Sequence, residues 1–237
     1  MVNNIKSFIL LFFVYSFIGW CMEVAITIIK NKKLVNRGFL VGPLCPIYGW
    51  GVLLLTLFLK KYSHDWIATF AMSILICGIL EYLTSYFMEI LFGARWWDYS
   101  ERKFNINGRI CLETLIPFGI GGTFVLEFVN PFFIDIIRNI PAALTNFIIV
   151  VLLFVFTVDT IISFKIVSKF KILNTLVKDN TEEISRKVTE EIYEKKEMIS
   201  RMISAFPHLD KNGLIKNWFA GKYENLKEKI REISNEL

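Results

Sequence analysis

Long apolar stretches dominate the first two-thirds of this chain, and they constrain its fold more than any other feature. Five are long enough, at about 20 residues, to cross the hydrocarbon core of a bilayer as helices. They cover residues 5–29, 40–59, 66–92, 111–130 and 141–164. Charge follows the same division, because 22 of the first 164 residues are charged against 27 of the last 73. The sequence predicts an all-α, polytopic membrane helical bundle, residues 1–164, and a cytoplasmic tail of amphipathic helices, residues 165–237.

Lysine and arginine are unevenly shared between the predicted connections. Four lie between the first and second spans, four between the third and fourth, and 15 in the tail. The opposite side has only Lys6, Lys60, Lys61 and Arg138. Since basic loops stay in the cytoplasm, this pattern predicts a multi-pass protein with its N-terminus outside and its C-terminal tail cytoplasmic.

Aromatic residues mark both predicted membrane boundaries. Tyr62 and Trp66 fall where an outer interfacial belt is expected, and Trp96, Trp97 and Tyr99 fall where an inner one is expected. Amphipathic rings favour the headgroup layer, so we expect these side chains to anchor the bundle.

Several function classes are excluded by motifs that the sequence lacks. It contains no G-x-x-x-x-G-K-[ST] loop, no H-E-x-x-H and no G-x-S-x-G, and its two histidines are isolated. The four cysteines lie in apolar segments without ligand spacing, so we interpret them as small buried hydrophobes. We expect no nucleotide hydrolysis by such a loop and no catalytic site of the soluble type, and we assign no catalytic residue, metal, cofactor or nucleic-acid partner. These absences favour a protein that is not an enzyme, but they leave an intramembrane enzyme open.

Acidic residues occur inside the predicted spans, where they are costly and normally face the bundle interior. On the third span, Glu81, Ser85 and Glu89 are four residues apart and share one helix face. Glu113 and Glu127 are 14 apart on the fourth, which returns to nearly the same face. We expect these polar stripes to meet inside.

Positive charge lies at the cytoplasmic mouths of the spans, at Arg37, Arg95 and Arg109. A guanidinium near Gly and Asn can bind a phosphate or carboxylate bidentately. The neighbouring acids could equally be its partners. Two interpretations therefore stay open: internal Arg–Glu pairing that fixes the bundle, and a site for an anionic headgroup or substrate.

Glycine and proline interrupt two spans. Gly42-Pro43 and the stretch Pro46–Gly51 should break the second span near its cytoplasmic end. Irregular backbone at that depth must be buried in protein or line a wet cavity. The fourth span contains three glycines, which leave room either for close helix packing or for a transport pathway. They are Gly119, Gly121 and Gly122.

A weak internal repeat relates the first two spans to the next two. Glu23, Asn36-Arg37-Gly38 and Pro46–Gly49 are echoed by Glu81, Asn107-Gly108-Arg109 and Pro117–Gly119. Both hairpins would open to the cytoplasm, so a duplication would be parallel, about an axis along the membrane normal.

Four longer runs resemble a known family. They are Tyr15–Glu23 (YSFIGWCME), Val35–Gly49 (VNRGFLVGPLCPIYG), Leu80–Asp98 (LEYLTSYFMEILFGARWWD) and Phe104–Cys111 (FNINGRIC). These runs resemble the bacterial membrane proteins named ABC-transporter type IV, or CmpB-type, permeases. The resemblance implies a permease-like subunit of an ABC-type transporter in the plasma membrane, without its own ATPase.

Two other functions stay open: an intramembrane lipid-handling enzyme and a non-catalytic membrane scaffold. The expected partners are the lipid bilayer and a separate ATPase subunit, and association into a homo-oligomer is left open. The residues expected to form a substrate-binding or structural polar network are Glu23, Asn36, Arg37, Glu81, Glu89, Trp97, Asp98, Tyr99, Asn105 and Arg109.

Overall fold

The computed structural model describes residues 5–32, 36, 38–62, 65–93 and 95–179, with the backbone alone for residues 30–31 and 169–179. These residues form a helical bundle with one small β-hairpin, which confirms the predicted fold class. The elements, in chain order, are α1 (Ile5–Asn31), α2 (Pro46–Leu59), a 3-10 turn (Lys60–Tyr62), α3 (Trp66–Phe92), β1 (Asn105–Ile106), β2 (Ile110–Cys111), α4 (Leu112–Phe124), a π-helical turn (Val125–Val129), α5 (Asn130–Arg138) and α6 (Ala142–Asp179).

Four helical segments of the described chain are long and apolar enough to cross a membrane. They are Ile5–Ile29, Trp66–Phe92, Leu112–Arg138 and Ala142–Ser168. These segments overlap the first, third, fourth and fifth predicted spans. Helix α6 continues without a break past residue 164, where the predicted transmembrane domain ends, to Asp179. The amphipathic helices predicted further along the tail lie outside the described residues.

The second predicted span, 40–59, is helical only over its last part. Helix α2 has 14 residues, about 21 Å at 1.5 Å per residue, which is shorter than a bilayer core. Prolines set its start: Pro43 disfavours helix in the residue before it, and Pro46 occupies the first turn, where its missing amide costs nothing. The sequence correctly predicted an interruption at Gly42-Pro43. The break that it also predicted over Pro46–Gly51 is wrong, because α2 runs through these residues, and the helical part of the span starts later than predicted.

Helix α2 begins beside the middle of α1. The amide of Cys45 donates to the carbonyl of Ser16 at 2.9 Å. Gly49, one turn further on, lies so close to α1 that a Cβ there would be 2.6 Å from the carbonyl oxygen of Phe12. Because Asn36 contacts Trp20, the irregular chain between α1 and α2 returns along the C-terminal half of α1. We call residues 38–45 the re-entrant segment.

The α3–α4 hairpin packs in the same register as α1–α2. Gly119 of α4 lies against Phe70 and Ile74, which precede Glu81 by eleven and seven residues. In the first hairpin Gly49 lies against Phe12 and Ser16, which precede Glu23 by the same two intervals. This shared register supports the predicted internal repeat.

In the region of the fourth predicted span, α4, the π-helical turn and α5 form one continuous helical run. The amide of Asn130 bonds to the carbonyl of Val125, five residues back, immediately before Pro131. This wider turn points Asn130 into the core, where its Nδ2 donates to Thr56 Oγ1 at 2.8 Å and its Oδ1 accepts from the Tyr15 hydroxyl at 3.4 Å. Asn130 thereby links α5 to α1 and α2. Such turns often occur at functional sites.

A large apolar core lies where α1, α2, α5 and α6 meet. Its buried members are Leu10, Leu11, Phe12, Phe13, Tyr15, Leu53, Ile137 and Ile149. Edge-to-face contacts of Phe12 and Phe13 with Phe156 of α6 add to this packing. This core fixes the half of the bundle on which the re-entrant segment rests.

Two sequence interpretations need correction. Trp96 is only 3% exposed and packs on Phe39 and Phe92, so it is a core residue and not an interfacial anchor. Cys21 is exposed, whereas Cys45 and Cys111 are buried and Cys77 is half-buried. All four are free thiols. The predicted inner belt therefore fails at Trp96, because this ring packs against aromatic rings inside the bundle.

Candidate functional site

A polar stripe on α3 organises the candidate site, as the sequence predicts. Glu81 and Ser85 are buried, and the side chain of Glu89 is 32% exposed. The partner stripe predicted on the fourth span forms only in part. Glu113 lies at the surface, where it pairs with Arg102 at 3.1 Å, because it occupies the first turn of α4, beside the connecting loop.

Glu89 is the acceptor for two arginines of the α3–α4 connection. Arg109 Nη2 lies 2.6 Å from Glu89 Oε2, and Arg95 Nε donates to both carboxylate oxygens at 3.1 and 3.2 Å. Arg95 Nη1 also lies 3.7 Å from Asp98 Oδ1. Two guanidinium groups thus face two carboxylates, and this cluster is balanced in charge.

Arg109 is nearly surrounded by protein groups, with 10% of its side chain exposed. Its Nη1 donates to Ser85 Oγ at 3.4 Å, and its guanidinium carbon lies 5.7 and 5.3 Å from the ring centroids of Tyr82 and Tyr86. Cation–π contacts of this kind stabilise a guanidinium that has lost water. These contacts favour internal pairing over a headgroup site for Arg109.

The connecting loop holds Arg109 in place through its own turn chemistry. Asn107 and Gly108 both have positive φ, 53° and 67°, a conformation that suits Asn and Gly. The amide of Gly108 donates to Asn105 Oδ1 at 3.0 Å, and Asn105 Nδ2 donates to the carbonyls of Ser100 and Arg102. Asn105 therefore shapes the loop.

Trp97 and Asp98 complete this loop. Trp97 Nε1 donates to the carbonyl of Arg109 at 2.9 Å, and Asp98 Oδ1 accepts from the amide and hydroxyl of Ser100. Trp97, Asp98 and Asn105 thus act on the loop backbone, and through it they position Arg109.

Two carboxylate–tyrosine pairs lie deeper in the bundle. The Tyr99 hydroxyl donates to Glu81 Oε1 at 3.2 Å, and the Tyr48 hydroxyl donates to Glu23 Oε1 at 2.6 Å. Burial raises the pKa of the Tyr99 phenol well above its usual range, and the Glu81 carboxylate and, more weakly, Glu23 add to this effect. Tyr99 therefore stays protonated and acts as a donor at physiological pH.

Asn36 shapes the entrance to the re-entrant segment. Its Oδ1 accepts from Trp20 Nε1 at 2.8 Å and from the amide of Gly38 at 3.0 Å, and its Nδ2 donates to the carbonyl of Val41 at 2.8 Å. Arg37, its predicted neighbour in the site, lies outside the described residues.

Asp159 of α6 holds the re-entrant segment from the other side. Its Oδ1 and Oδ2 accept from the amides of Val41 and Gly42 at 3.0 Å each, and Ser163 Oγ lies 3.0 Å from the Val41 amide. A Cβ at Gly42 would lie 2.8 Å from Asp159 Oδ2, so only glycine allows this approach. A carboxylate here satisfies backbone donors that no helix pairs.

The predicted residues thus fall into two groups. Glu81, Glu89, Trp97, Asp98, Tyr99, Asn105 and Arg109 lie together between α3 and its loop, and Glu23 and Asn36 belong to the α1–α2 hairpin. The candidate set omitted Trp20, Asp159 and Ser163, although Asp159 is an acid inside a span. It also omitted Tyr48, which lies in one of the family-like runs. Among the described residues, no three His, Cys, Asp or Glu side chains are grouped so as to hold a metal ion.

The fold and this buried polar network define a polytopic helical membrane protein with ionisable groups inside its bundle. Residues 10–164 match the family described as "Putative ABC-transporter type IV", ABC_trans_CmpB. The match covers more than half of the 237 residues, and the chain belongs to this family. Neither curated proteins nor solved structures give a match to the chain.

Proposed function

We propose that this chain is the permease-like, membrane-spanning subunit of an ABC-type transporter in the plasma membrane, and that a separate ATPase subunit supplies the energy. The observation that carries the proposal is the re-entrant segment, which brings irregular backbone to the mid-height of α1. Discontinuous helices at such depths are the usual form of substrate and ion sites in transporters.

Polar groups from three helices meet at this break. Glu23 of α1 accepts from Tyr48 near the start of α2, and Asp159 of α6 binds the re-entrant segment. A pathway for a polar solute needs such groups inside an otherwise apolar bundle. The family assignment supports the same function, and the missing nucleotide-binding motif explains why the ATPase would be a separate chain.

The orientation proposed for this subunit follows the lysine and arginine distribution. It places the N-terminus outside and the loops after α1 and α3 in the cytoplasm, and it therefore requires the re-entrant segment and α2 together to make one crossing. Docking of an ATPase would then involve these loops or the tail.

The lipid-handling alternative has weaker support. It needs a guanidinium that can receive a phosphorylated headgroup, whereas Arg109 is engaged by Glu89, Ser85 and two tyrosine rings. The scaffold alternative needs the tail as its binding element, and residues 180–237 lie outside the described structure.

The test is a purification of the tagged full-length protein from its native membranes in a mild detergent, followed by reconstitution into proteoliposomes. We expect an ATPase subunit to co-purify and its ATP hydrolysis to depend on this chain. Gly42→Val should reduce that hydrolysis at least tenfold by displacing Asp159, whereas Gly121→Val, where a Cβ meets nothing within 4 Å, is the matched control. Absence of an ATPase, or equal hydrolysis with both variants, would contradict the proposal.

A further inference from the structure

Glu81 is a buried acid that the proposed transport role does not explain. It is 5% exposed and lies on the inward face of α3. Its Oε1 accepts from Tyr99, while its Oε2 is buried and has no hydrogen-bond partner among the described residues. A carboxylate oxygen in this state is unusual, because buried polar atoms are nearly always satisfied.

The charged form of Glu81 would be expensive here. A single hydrogen bond from a neutral phenol compensates little of the hydration that a carboxylate loses on burial. A neutral carboxylic acid with one unpaired hydroxyl costs far less than a buried carboxylate.

No arginine neutralises Glu81 in the described part of the chain. Arg109 contacts Ser85, which lies one helical turn from Glu81, but its ion-pair partner is Glu89. Arg95 binds Glu89 and Asp98. The titratable groups that act on Glu81, or on which it acts, are Glu23 of α1, Tyr48 of α2, Cys77 of α3 and Tyr99 of the loop. None of these four side chains is a cation.

A metal ion fits this position poorly. Hard cations take six or more oxygen ligands, or at least several from the protein, and the described residues offer no cluster of three His, Cys, Asp or Glu side chains. A proton needs only one acceptor atom, and Oε2 supplies it.

We propose that Glu81 is a proton-binding site, with the proton on Oε2 and the hydroxyl of Tyr99 bound to Oε1. The Tyr99 bond fixes which oxygen is the carbonyl. A rearrangement that admits water to Glu81 would release this proton, which would link proton movement to the conformation of the bundle. This inference goes beyond the proposed transport role and does not depend on it.

Infrared spectroscopy of the purified full-length protein in lipid nanodiscs tests the site directly. At pH 7 we expect a carbonyl band of a protonated carboxyl group that shifts in D₂O. The band should be lost in Glu81→Gln and kept in Glu89→Gln, whose parent residue is paired with two arginines. Glu127→Gln is a second control, because Glu127 Oε1 is also buried without a partner in the described structure.

A second variant, which leaves Glu81 in place, keeps the test informative if Glu81→Gln does not fold. Tyr99→Phe removes the hydrogen bond to the carbonyl oxygen, so the band should persist and move to higher frequency. The proposal is overturned if Glu81→Gln keeps the full band, if Glu127→Gln alone removes it, or if replacing choline chloride by sodium chloride abolishes it. The last result would indicate a sodium site.

Discussion

Arg109 carries a positive charge into the bundle, and the carboxylate that pairs with this guanidinium is that of Glu89. Glu89 Oε2 lies 2.6 Å from Arg109 Nη2, and the Arg109 side chain is 10% exposed. A more exposed ion pair of this region, Arg102 with Glu113, has side chains that are 60% and 65% exposed. An Arg–Glu ion pair therefore occurs both inside the bundle and at the surface.

Glu89→Ala should destabilise the protein strongly, because it leaves a buried guanidinium without its partner. We expect a loss towards the lower end of about 3–5 kcal/mol, since Glu89 itself is one-third exposed. Glu113→Ala, the matched change in the exposed pair, should cost about 0–1 kcal/mol. Thermal unfolding of both variants in detergent measures the difference, and equal melting temperatures would contradict it.

Sequence reasoning predicted residue types and faces better than partners. The spacing of Glu81, Ser85 and Glu89 placed them correctly on one inward face. It could not show that Trp97 binds the carbonyl of Arg109 or that Tyr48 binds Glu23. These contacts join residues from separate elements, so they depend on the tertiary structure.

At the scale of elements, the re-entrant segment is stabilised by side chains and not by helix formation. Asp159 and Ser163 bind its amides from α6, and Asn36 binds the Val41 carbonyl. The prolines predicted the break in the second span. The sequence did not reveal that α6 would supply the acceptor, because Asp159 is 118 residues from Val41.

Asp159→Ala should release the re-entrant segment. The change removes the acceptor of the Gly42 amide and one acceptor of the Val41 amide, and each lost bond costs about 1–3 kcal/mol. We expect faster hydrogen–deuterium exchange in peptides covering 38–45. Thr160→Ala, which removes only a bond to Phe156 within α6, should leave this exchange unchanged. Equal exchange in the two variants would show that Asp159 does not hold the segment.

Gly49 should be intolerant of any side chain, because the backbones of α1 and α2 meet there. A Cβ would lie 2.6 Å from the Phe12 carbonyl oxygen, so Gly49→Ala must push the two helices apart. We expect a loss of about 1–3 kcal/mol. Gly121→Ala meets open space and should be neutral or stabilising by up to about 1 kcal/mol through helix propensity. Comparable unfolding temperatures would argue against close packing at Gly49.

Across the bundle as a whole, apolar length predicted five spans. Four of them overlap helical segments long and apolar enough to cross a membrane, and the length of the second was overestimated. Length alone cannot distinguish a full helix from a short helix preceded by irregular backbone, since both are apolar. The segment Leu112–Arg138, which corresponds to the fourth predicted span, extends beyond the predicted end at 130. There the π-helical turn lets the helix continue through Pro131.

Orientation in the membrane is predicted from charge and needs its own test. Reporter fusions at residues 34 and 101 should be active as cytoplasmic reporters, and a fusion at residue 63 should be active as an external one. The opposite pattern would invert the proposed orientation and move the mouths near Arg109 to the outer side.

We propose that this chain moves a polar solute across the membrane as part of an ABC-type transporter. The decisive measurement compares the solute and lipid profiles of a deletion strain, of the strain complemented with wild-type protein and of the strain complemented with Gly42→Val. We expect a water-soluble solute to change its distribution between cells and medium, lipids to stay unaltered, and only wild-type protein to restore the distribution. Altered lipids with unaltered solutes, or full restoration by Gly42→Val, would contradict it.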